Sequence, residues 1–316
     1  MATDGSNIYV SGPNGVIRVW KDGEENSKAT LQGHRDLVTS MTVLRDGSLI
    51  SSSDDGSLIH WNTKAFIGQA KYSGPEKSIS CCVVVYNRSL ASRLHTDTDH
   101  VFIGGSWDNN LYFWNPRQVT PIKVLSGHDH PIKALVPFET EAGLRLASGA
   151  SNGEILIWDL SQMRVINKIS AHTDAIYSLS FDNDMLISSS RDSKIKFWDQ
   201  SLELAREFMS EDGFARKFHV FRKNFMVVLS GVKTIEIWDL RLQRVVEKRE
   251  SKDIISEVTV MDDNKILVAR RNEVNALKYV NKKMTTIKAV HKFRMQVRYP
   301  PMVVKSVFDV LFGSNE

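Results

Sequence analysis

Seven times along this chain a short polar turn is followed, at a fixed distance, by a large apolar residue, and that recurrence limits the fold more than any single segment does. The fullest copies are SSSDDGSLIHW, ending at Trp61, and SSSRDSKIKFW, ending at Trp198. Each has a Ser, an Asp four residues on, and a Trp six beyond the Asp. Weaker copies are VSGPNGVIRVW at Trp20, GGSWDNNLYFW at Trp114, SGASNGEILIW at Trp158 and LSGVKTIEIW at Trp238. A seventh, ARRNEVNAL, sets Leu277 in the place of the Trp. The gaps between anchors are 41, 53, 44, 40, 40 and 39 residues. The third unit therefore carries an insertion, Tyr86 to His100, which is expected to be a surface loop.

Each copy reads as strands. SLIHW, LYFW, ILIW and IKFW are short, rich in β-formers and preceded by Asp-Gly, Asp-Asn, Asn-Gly or Asp-Ser pairs that make tight hairpin turns. Another strand lies upstream (MTVL, ALVPF, YSLSF), and before it a polar turn with Gly33-His34, Gly127-His128 or Ala171-His172. A unit of this length holds four such strands, and a lone four-stranded sheet cannot bury both faces. Radial stacking of the units does bury them.

These residues carry a resemblance. The chain resembles the WD-repeat family of β-propellers over nearly its whole length, with Trp-Asp itself at Trp158-Asp159, Trp198-Asp199 and Trp238-Asp239. The resemblance implies an all-β fold, a seven-bladed β-propeller of four-stranded antiparallel blades, with the ring closed by N- and C-terminal strands. It also implies an internal hydrogen-bonded tetrad, complete as His34, Ser51, Asp55, Trp61 and as His172, Ser188, Asp192, Trp198. In a third, His128, Ser148 and Trp158, Asn152 stands for the Asp. A buried imidazole needs partners on both nitrogens, and the hydroxyl and carboxylate supply them. Repeats without the His are expected to be looser.

Residues 3 to 12, TDGSNIYVSG, copy the second strand of a blade, so the first blade is expected to lack a first strand of its own. Val303 to Phe308 is the preferred donor of the missing strand and Arg294 to Tyr299 the alternative. This gives one propeller domain over 1–308 and a short tail over 309–316. Apolar residues at 303, 304, 307, 308, 311 and 312 also have helical spacing.

With 316 residues, 42% of them apolar and 25% charged, the composition is that of a soluble globular protein. The only cysteines, Cys81 and Cys82, are adjacent, which argues against a structural disulfide and for a reducing compartment. The N-terminus has neither a charged head nor an apolar run, and the longest apolar stretch, CCVVVY, is far too short to span a bilayer. A cytoplasmic protein is expected, with the nucleus as the alternative. The net charge of +4 conceals an asymmetry: residues 201–316 hold 22 Lys and Arg against 15 Asp and Glu.

Catalytic motifs do not survive inspection. Gly149-Ala150-Ser151-Asn152-Gly153 fits the G-x-S-x-G elbow, but that motif needs a strand-to-helix turn and here falls in a hairpin. His95, Asp97, Asp99 and His100 could ligate a metal only with convergent geometry and second-shell support, which a short polar loop lacks. In Gly127-His128-Asp129-His130 the tetrad already takes His128. No Gly-rich phosphate loop precedes a helix. A non-enzymatic protein without cofactor or metal is expected.

Function then rests on a surface. Partners of such propellers commonly dock on the face where first strands begin and the turns between second and third strands end, and the resemblance identifies those positions here. Before each turn Asp or its replacement stand Pro13, Asp54, Trp107, Ser151, Arg191, Gly231 and Arg270. At the first-strand starts stand Leu37 and Thr39, Ser78 and Ser80, Pro131 and Lys133, Ala175 and Tyr177, Phe214 and Arg216, and Ile254 and Ser256. The expected partner-binding set is Trp107, Lys133, Tyr177, Arg191, Phe214, Arg216 and Arg270, residue types enriched at binding hot spots. Guanidinium groups grip carboxylate or phosphate and aromatics cage or stack, so the expected partner is a protein segment with acidic or phosphorylated groups.

Two other classes stand beside this adaptor. FARKFHVFRKNF, Phe214 to Phe225, interleaves aromatic and basic residues as RNA and other single-strand binders do, although alternating strand residues explain it more plainly. SWDNNLYFW with SISCCVVV is similar, over fewer than about twenty residues, to the propeller that follows the BEACH domain in the factor associated with neutral sphingomyelinase activation. That similarity would make the chain a module of a trafficking or ubiquitin-system protein.

Overall fold

A computed structural model describes residues 1–292, apart from 23, 25, 223, 263–264, 271–272 and 281–282. Seven sheets of four antiparallel strands follow one another, each built from strands consecutive in sequence. Blade one comprises Ala2–Thr3, Asn7–Ser11, Ile17–Lys21 and Ala29–Leu31. Blade two runs from Val38–Val43 to Ile67–Tyr72, blade three from Ile79–Tyr86 to Lys123–Ser126, and blade four from Ile132–Thr140 to Arg164–Ser170. Blade five runs from Ile176–Asp182 to Leu204–Met209, blade six from Ala215–Phe221 to Arg244–Glu250, and blade seven from Ile255–Asp262 to Lys283–Lys292.

The core lies in the seams between blades. Each of the seven seams holds its own apolar cluster, because a blade presents apolar side chains on both faces and neither can be left to water. Trp61, Trp114, Trp158, Trp198 and Trp238 each pack toward the preceding blade, and Leu277 takes the same place in blade seven. Trp20 is buried as well.

Ring closure corrects one expectation. Blade one does have a first strand of its own, the two residues Ala2–Thr3, paired antiparallel to Ile8 and Tyr9. Blade seven completes its four strands by residue 292. The seam between them is packed by Ile8 against Leu267, Ala269, Val274 and Ala276, and the Lys265 ammonium reaches the Asp22 carboxylate at 2.5 Å. Both expected closing segments, 294–299 and 303–308, and the tail lie outside the described residues.

The tetrads form a directed relay. In blade five the Trp198 indole N–H donates to Ser188 Oγ at 3.0 Å, Ser188 pairs with His172 Nε2 at 2.8 Å, and His172 Nδ1 faces Asp192 at 2.9 Å. Blade two repeats it with Trp61, Ser51, His34 and Asp55. In blade four Trp158 and His128 both meet Ser148 at 2.7 Å, but the acid is Glu154, 3.3 Å from His128 Nδ1, rather than anything at position 152. Asn152 serves its own turn instead, accepting from the Glu154 N–H. Burial pushes the His128 pKa down to about 4, so its ring is neutral at physiological pH. Blade six lacks the His and places a fully buried Glu236 there, which accepts from the Trp238 indole at 2.9 Å, from Ser210 and from the Glu211 N–H.

The insertion is more than a loop. Asn87 caps a short helix, Arg88–Arg93, whose Leu90 and Ala91 are buried in the seam between blades three and four. It precedes the second strand His100–Ser106, and Trp107 follows the other end of that strand. Seven residues of strand separate them by about 20 Å, so the insertion does not cover Trp107.

Two glycines share a φ of +83° and isolate the cost of a close approach. A Cβ on Gly47 would meet nothing within 4 Å, whereas one on Gly153 would stand 2.1 Å from the His172 carbonyl oxygen. Gly47→Ala should cost ~1 kcal/mol in urea denaturation, and Gly153→Ala at least ~3 kcal/mol. The tetrad makes a pH prediction. Hydrogen bonds and the facing imidazole hold the Asp192 carboxyl below its ordinary range despite burial. Its contribution is therefore present above an unfolded pKa of about 4 and lost as pH falls through the depressed folded value. Asp192→Asn should lower the denaturation midpoint at neutral pH and flatten its acid decline.

Candidate binding face

Two backbone devices build the face. The first is a hydrogen bond from turn to strand. The residue before each turn Asp donates its N–H to the carbonyl just ahead of the first strand: Asp54 to Leu37, Trp107 to Ser78, Ser151 to Pro131, Arg191 to Ala175 and Gly231 to Phe214, all at 2.9 Å. The two sets of positions expected on one face are thus tied in pairs through blades two to six.

The second device is a bulge. In blades two to seven the pairing of first and second strands slips by one residue, at Thr39, Ser80, Lys133, Tyr177, Arg216 and Ser256. A bulge removes its extra residue from the ladder and re-aims the side chain. Thr39 Oγ1 donates to the Ile79 carbonyl of blade three at 2.5 Å, and Ser80 Oγ to the Ile132 carbonyl of blade four. Arg216 donates to the Ile255 carbonyl of blade seven at 3.1 Å. Each of these bonds links one blade's first strand to the next.

Lys133 and Tyr177 do not join that series. The Lys133 ammonium stands 3.8 Å from the centre of the Trp107 ring, in cation–π contact. Burial lowers its pKa, opposed by the nearby Cys81 and Asp54. Asp54 is itself raised, first by burial. The buried Tyr177 hydroxyl has no hydrogen-bond partner among the described residues, and its ring lies 6.1 Å from that of Phe214. Burial raises the Tyr177 pKa against the pull of Arg191 and Arg216, so the phenol remains a donor.

The seven expected residues therefore separate. Trp107 and Lys133 form one group, with Trp107 38% exposed. Tyr177, Phe214, Arg191 and Arg216 form a second, in which Arg191 faces Asp174 at 3.7 Å across an exposed pair. Arg270 lines a cavity of about 340 Å³ between blades six and seven with Arg249, Glu250, Ser251, Ile235, Ile255 and Leu277.

Other candidates fall into place. Phe218 and Phe221 are buried in the seams of blade six, Phe225 packs against Phe221, and His219 donates to the Val258 carbonyl at 3.1 Å. The aromatics of FARKFHVFRKNF are thus spent on the core, with Phe214 only partly covered. Ser151 sits between the strands Gly143–Ala150 and Glu154–Asp159, as a hairpin residue. His100 pairs with Asp99, Asp97 with Arg117, and no group of three or more potential metal ligands exists among the described residues. Sequence reasoning missed Glu154, Glu236 and the bulges; the acids two and four residues before the Trp were the available signal.

Comparison with known proteins agrees with this geometry. The family profile for the WD domain, G-beta repeat, matches residues 25–62, 119–159 and 163–199. In those three stretches the chain carries WD repeats, within a propeller of seven blades. It is 25% identical over 194 residues to the WD repeat-containing protein 55 homolog of Dictyostelium discoideum, covering 60% of this chain and 44% of that one. It is 26% identical over 201 residues to cell division control protein 4 of Saccharomyces cerevisiae, covering 58% and 25%. The chain therefore matches less than half the length of either relative. Among solved structures, the RRP9 WD40 repeats superpose with a TM-score of 0.70 at 15% identity, covering 83% of each chain. U3-55K gives 0.71 at 15%, covering 83% of this chain and 84% of that one. Likeness at this identity speaks for the fold alone. No helix among the described residues is long and apolar enough to cross a membrane.

The two tryptophans of blade three should respond oppositely to truncation. Trp114→Ala, in the seam, should cost about 3–5 kcal/mol of stability. Trp107→Ala should cost about 1 kcal/mol or less, since it loses mainly the contact with Lys133. Denaturant midpoints of the two variants check this.

Proposed function

We propose that the chain is a non-enzymatic adaptor that holds a protein partner, through a segment with acidic or phosphorylated groups, on the face where its first strands begin. WD-repeat propellers are in general interaction scaffolds, and a fold does not name its partner. The observation that carries this reading is the convergence of Tyr177, Phe214, Arg191 and Arg216, from homologous positions of blades five and six, on one part of the face. Trp107 and Lys133 extend that surface toward blade three, and Arg270 toward blade seven. The surface is rigid because hydrogen bonds pin its turns and bulges, so docking loses little conformational freedom. A cytoplasmic or nuclear setting is part of the same proposal.

RNA or ribonucleoprotein binding ranks second. It is supported by the basic surplus of the last third, but the buried phenylalanines of blade six remove its stacking platform. Salt-sensitive binding of single-stranded RNA would favour it, and the absence of binding at low salt would end it.

The charge reversals Arg191→Glu and Arg270→Glu, made together, should weaken captured partners at least tenfold in calorimetric titration while leaving the melting temperature near that of the wild type. Unchanged affinity for every partner recovered by affinity purification would overturn the proposal.

A further inference from the structure

The links between first strands contain a gap that points to a specific ligand group. Thr39 and Ser80 reach the next blade with side chains of a single hydroxyl, so equivalent bulge positions on neighbouring blades lie close together. In blades four, five and six the bulge residues are Lys133, Tyr177 and Arg216, consecutive around the ring. Together they carry an ammonium, a phenol hydroxyl and a guanidinium, all donors at neutral pH. Among the described residues the only acceptor these groups engage is the Ile255 carbonyl, bonded to Arg216. A buried donor without an acceptor is costly, and the Tyr177 hydroxyl, set between the Lys133 and Arg216 positions, is retained more economically if a ligand supplies oxygen.

Charge selects the kind of oxygen. The charges at Tyr177 and Arg216 are the cations Arg191, Arg216, Lys217 and the Met1 ammonium and the anions Asp174 and Glu257. Glu257 is engaged by Lys217 and by the Met1 ammonium, each at 3.7 Å, and Asp174 by Arg191 at 3.7 Å, so among the described residues the Arg216 guanidinium has no carboxylate in ion-pair range. A guanidinium with no carboxylate beside it calls for an anion from outside the chain. Guanidinium geometry also suits a planar carboxylate.

We propose that the mouth of the propeller at blades five and six binds a single carboxylate of an acidic partner peptide, with the Tyr177 hydroxyl and the Arg216 guanidinium as its donors and the Phe214 ring beside it. This rests on the reading of the face given above and narrows it from acidic or phosphorylated segments to a carboxylate, and from seven residues to two. Lys133, held on Trp107, supplies a second positive flank toward blade four.

The test uses the full chain and randomised short peptides selected on it. Selected peptides should share an Asp or Glu whose change to Asn or Gln weakens binding about tenfold. Tyr177→Phe keeps the ring and Arg216→Lys keeps the charge; each should weaken the acidic peptide about tenfold and leave its amide version unchanged. Equal loss for both versions, or no loss in Tyr177→Phe, overturns the inference. Selection of phosphoserine peptides over their Glu counterparts also overturns it, while leaving the broader reading intact. Dependence on Arg191 and Arg270 with indifference to Tyr177 has the same meaning, and peptides with no acidic bias that are indifferent to all four residues sink both. Thermal melting of each variant separates a binding defect from misfolding.

Discussion

A third-strand tryptophan must find an acceptor for its indole N–H in a seam that excludes water, and much of the propeller is arranged around that need. An unpaired N–H there would forfeit on the order of 1–3 kcal/mol, and for blades two to six the chain supplies an oxygen. Blades two, four and five supply a serine hydroxyl, blade three the Ser73 carbonyl, and blade six the carboxylate of Glu236. The serine is in turn fixed by a histidine, and the histidine by an acid. That acid moves along the chain from blade to blade. It is six residues before the Trp in Asp55 and Asp192, four before it in Glu154 and two before it in Glu236. The requirement is for a carboxylate near one point in space, and positions in the turn, as Asp55 and Asp192, or on the third strand after it, as Glu154 and Glu236, reach it.

The same acids hold the binding face together. Asp55 accepts from the backbone N–H groups of Arg35 and Ser57, and Asp192 from those of Thr173 and Lys194. Each carboxylate therefore ties the turn before a first strand to the turn before a third strand, the two loops that carry the exposed residues. Above that tie, the turn N–H bonds directly to the carbonyl at the start of the first strand. Stability and display are thus separated: buried groups fix the loops, and residues such as Trp107 and Arg191 vary freely on top of them.

This separation explains what was legible in the sequence. The blade count and the seam tryptophans follow from spacing, and the two complete tetrads from the family resemblance that the spacing carries, because burial forces the same residue types to recur at the same positions. Glu154 and Glu236 were not legible, because a repeat pattern read position by position does not show that a neighbouring side chain can occupy the same point. The inner strand of blade one was hidden for a different reason: Ala2–Thr3 is two residues long, too short to carry any alternation. The bulges leave no residue signature at all, since Thr39, Ser80, Lys133, Tyr177, Arg216 and Ser256 share only a register.

On the proposed function, that register would decide which exposed residues contribute to affinity and which to approach. A bulge residue is anchored by ladder bonds on both sides, so its side chain has already lost much of its freedom before a partner arrives. Tyr177 and Arg216 are of this kind, and both are largely withdrawn from solvent, where a hydrogen bond to an anion is strongest. Arg191 is not: it rises from a turn, 45% exposed, beside an equally exposed Asp174, where solvent screens its charge. On the proposed function, a charge so placed would steer an anionic segment toward the mouth and raise the association rate more than it would hold the complex. Substitutions at the bulges should then appear in dissociation rates and those at the turns in the salt dependence of association. The division follows from where the backbone is pinned rather than from residue type.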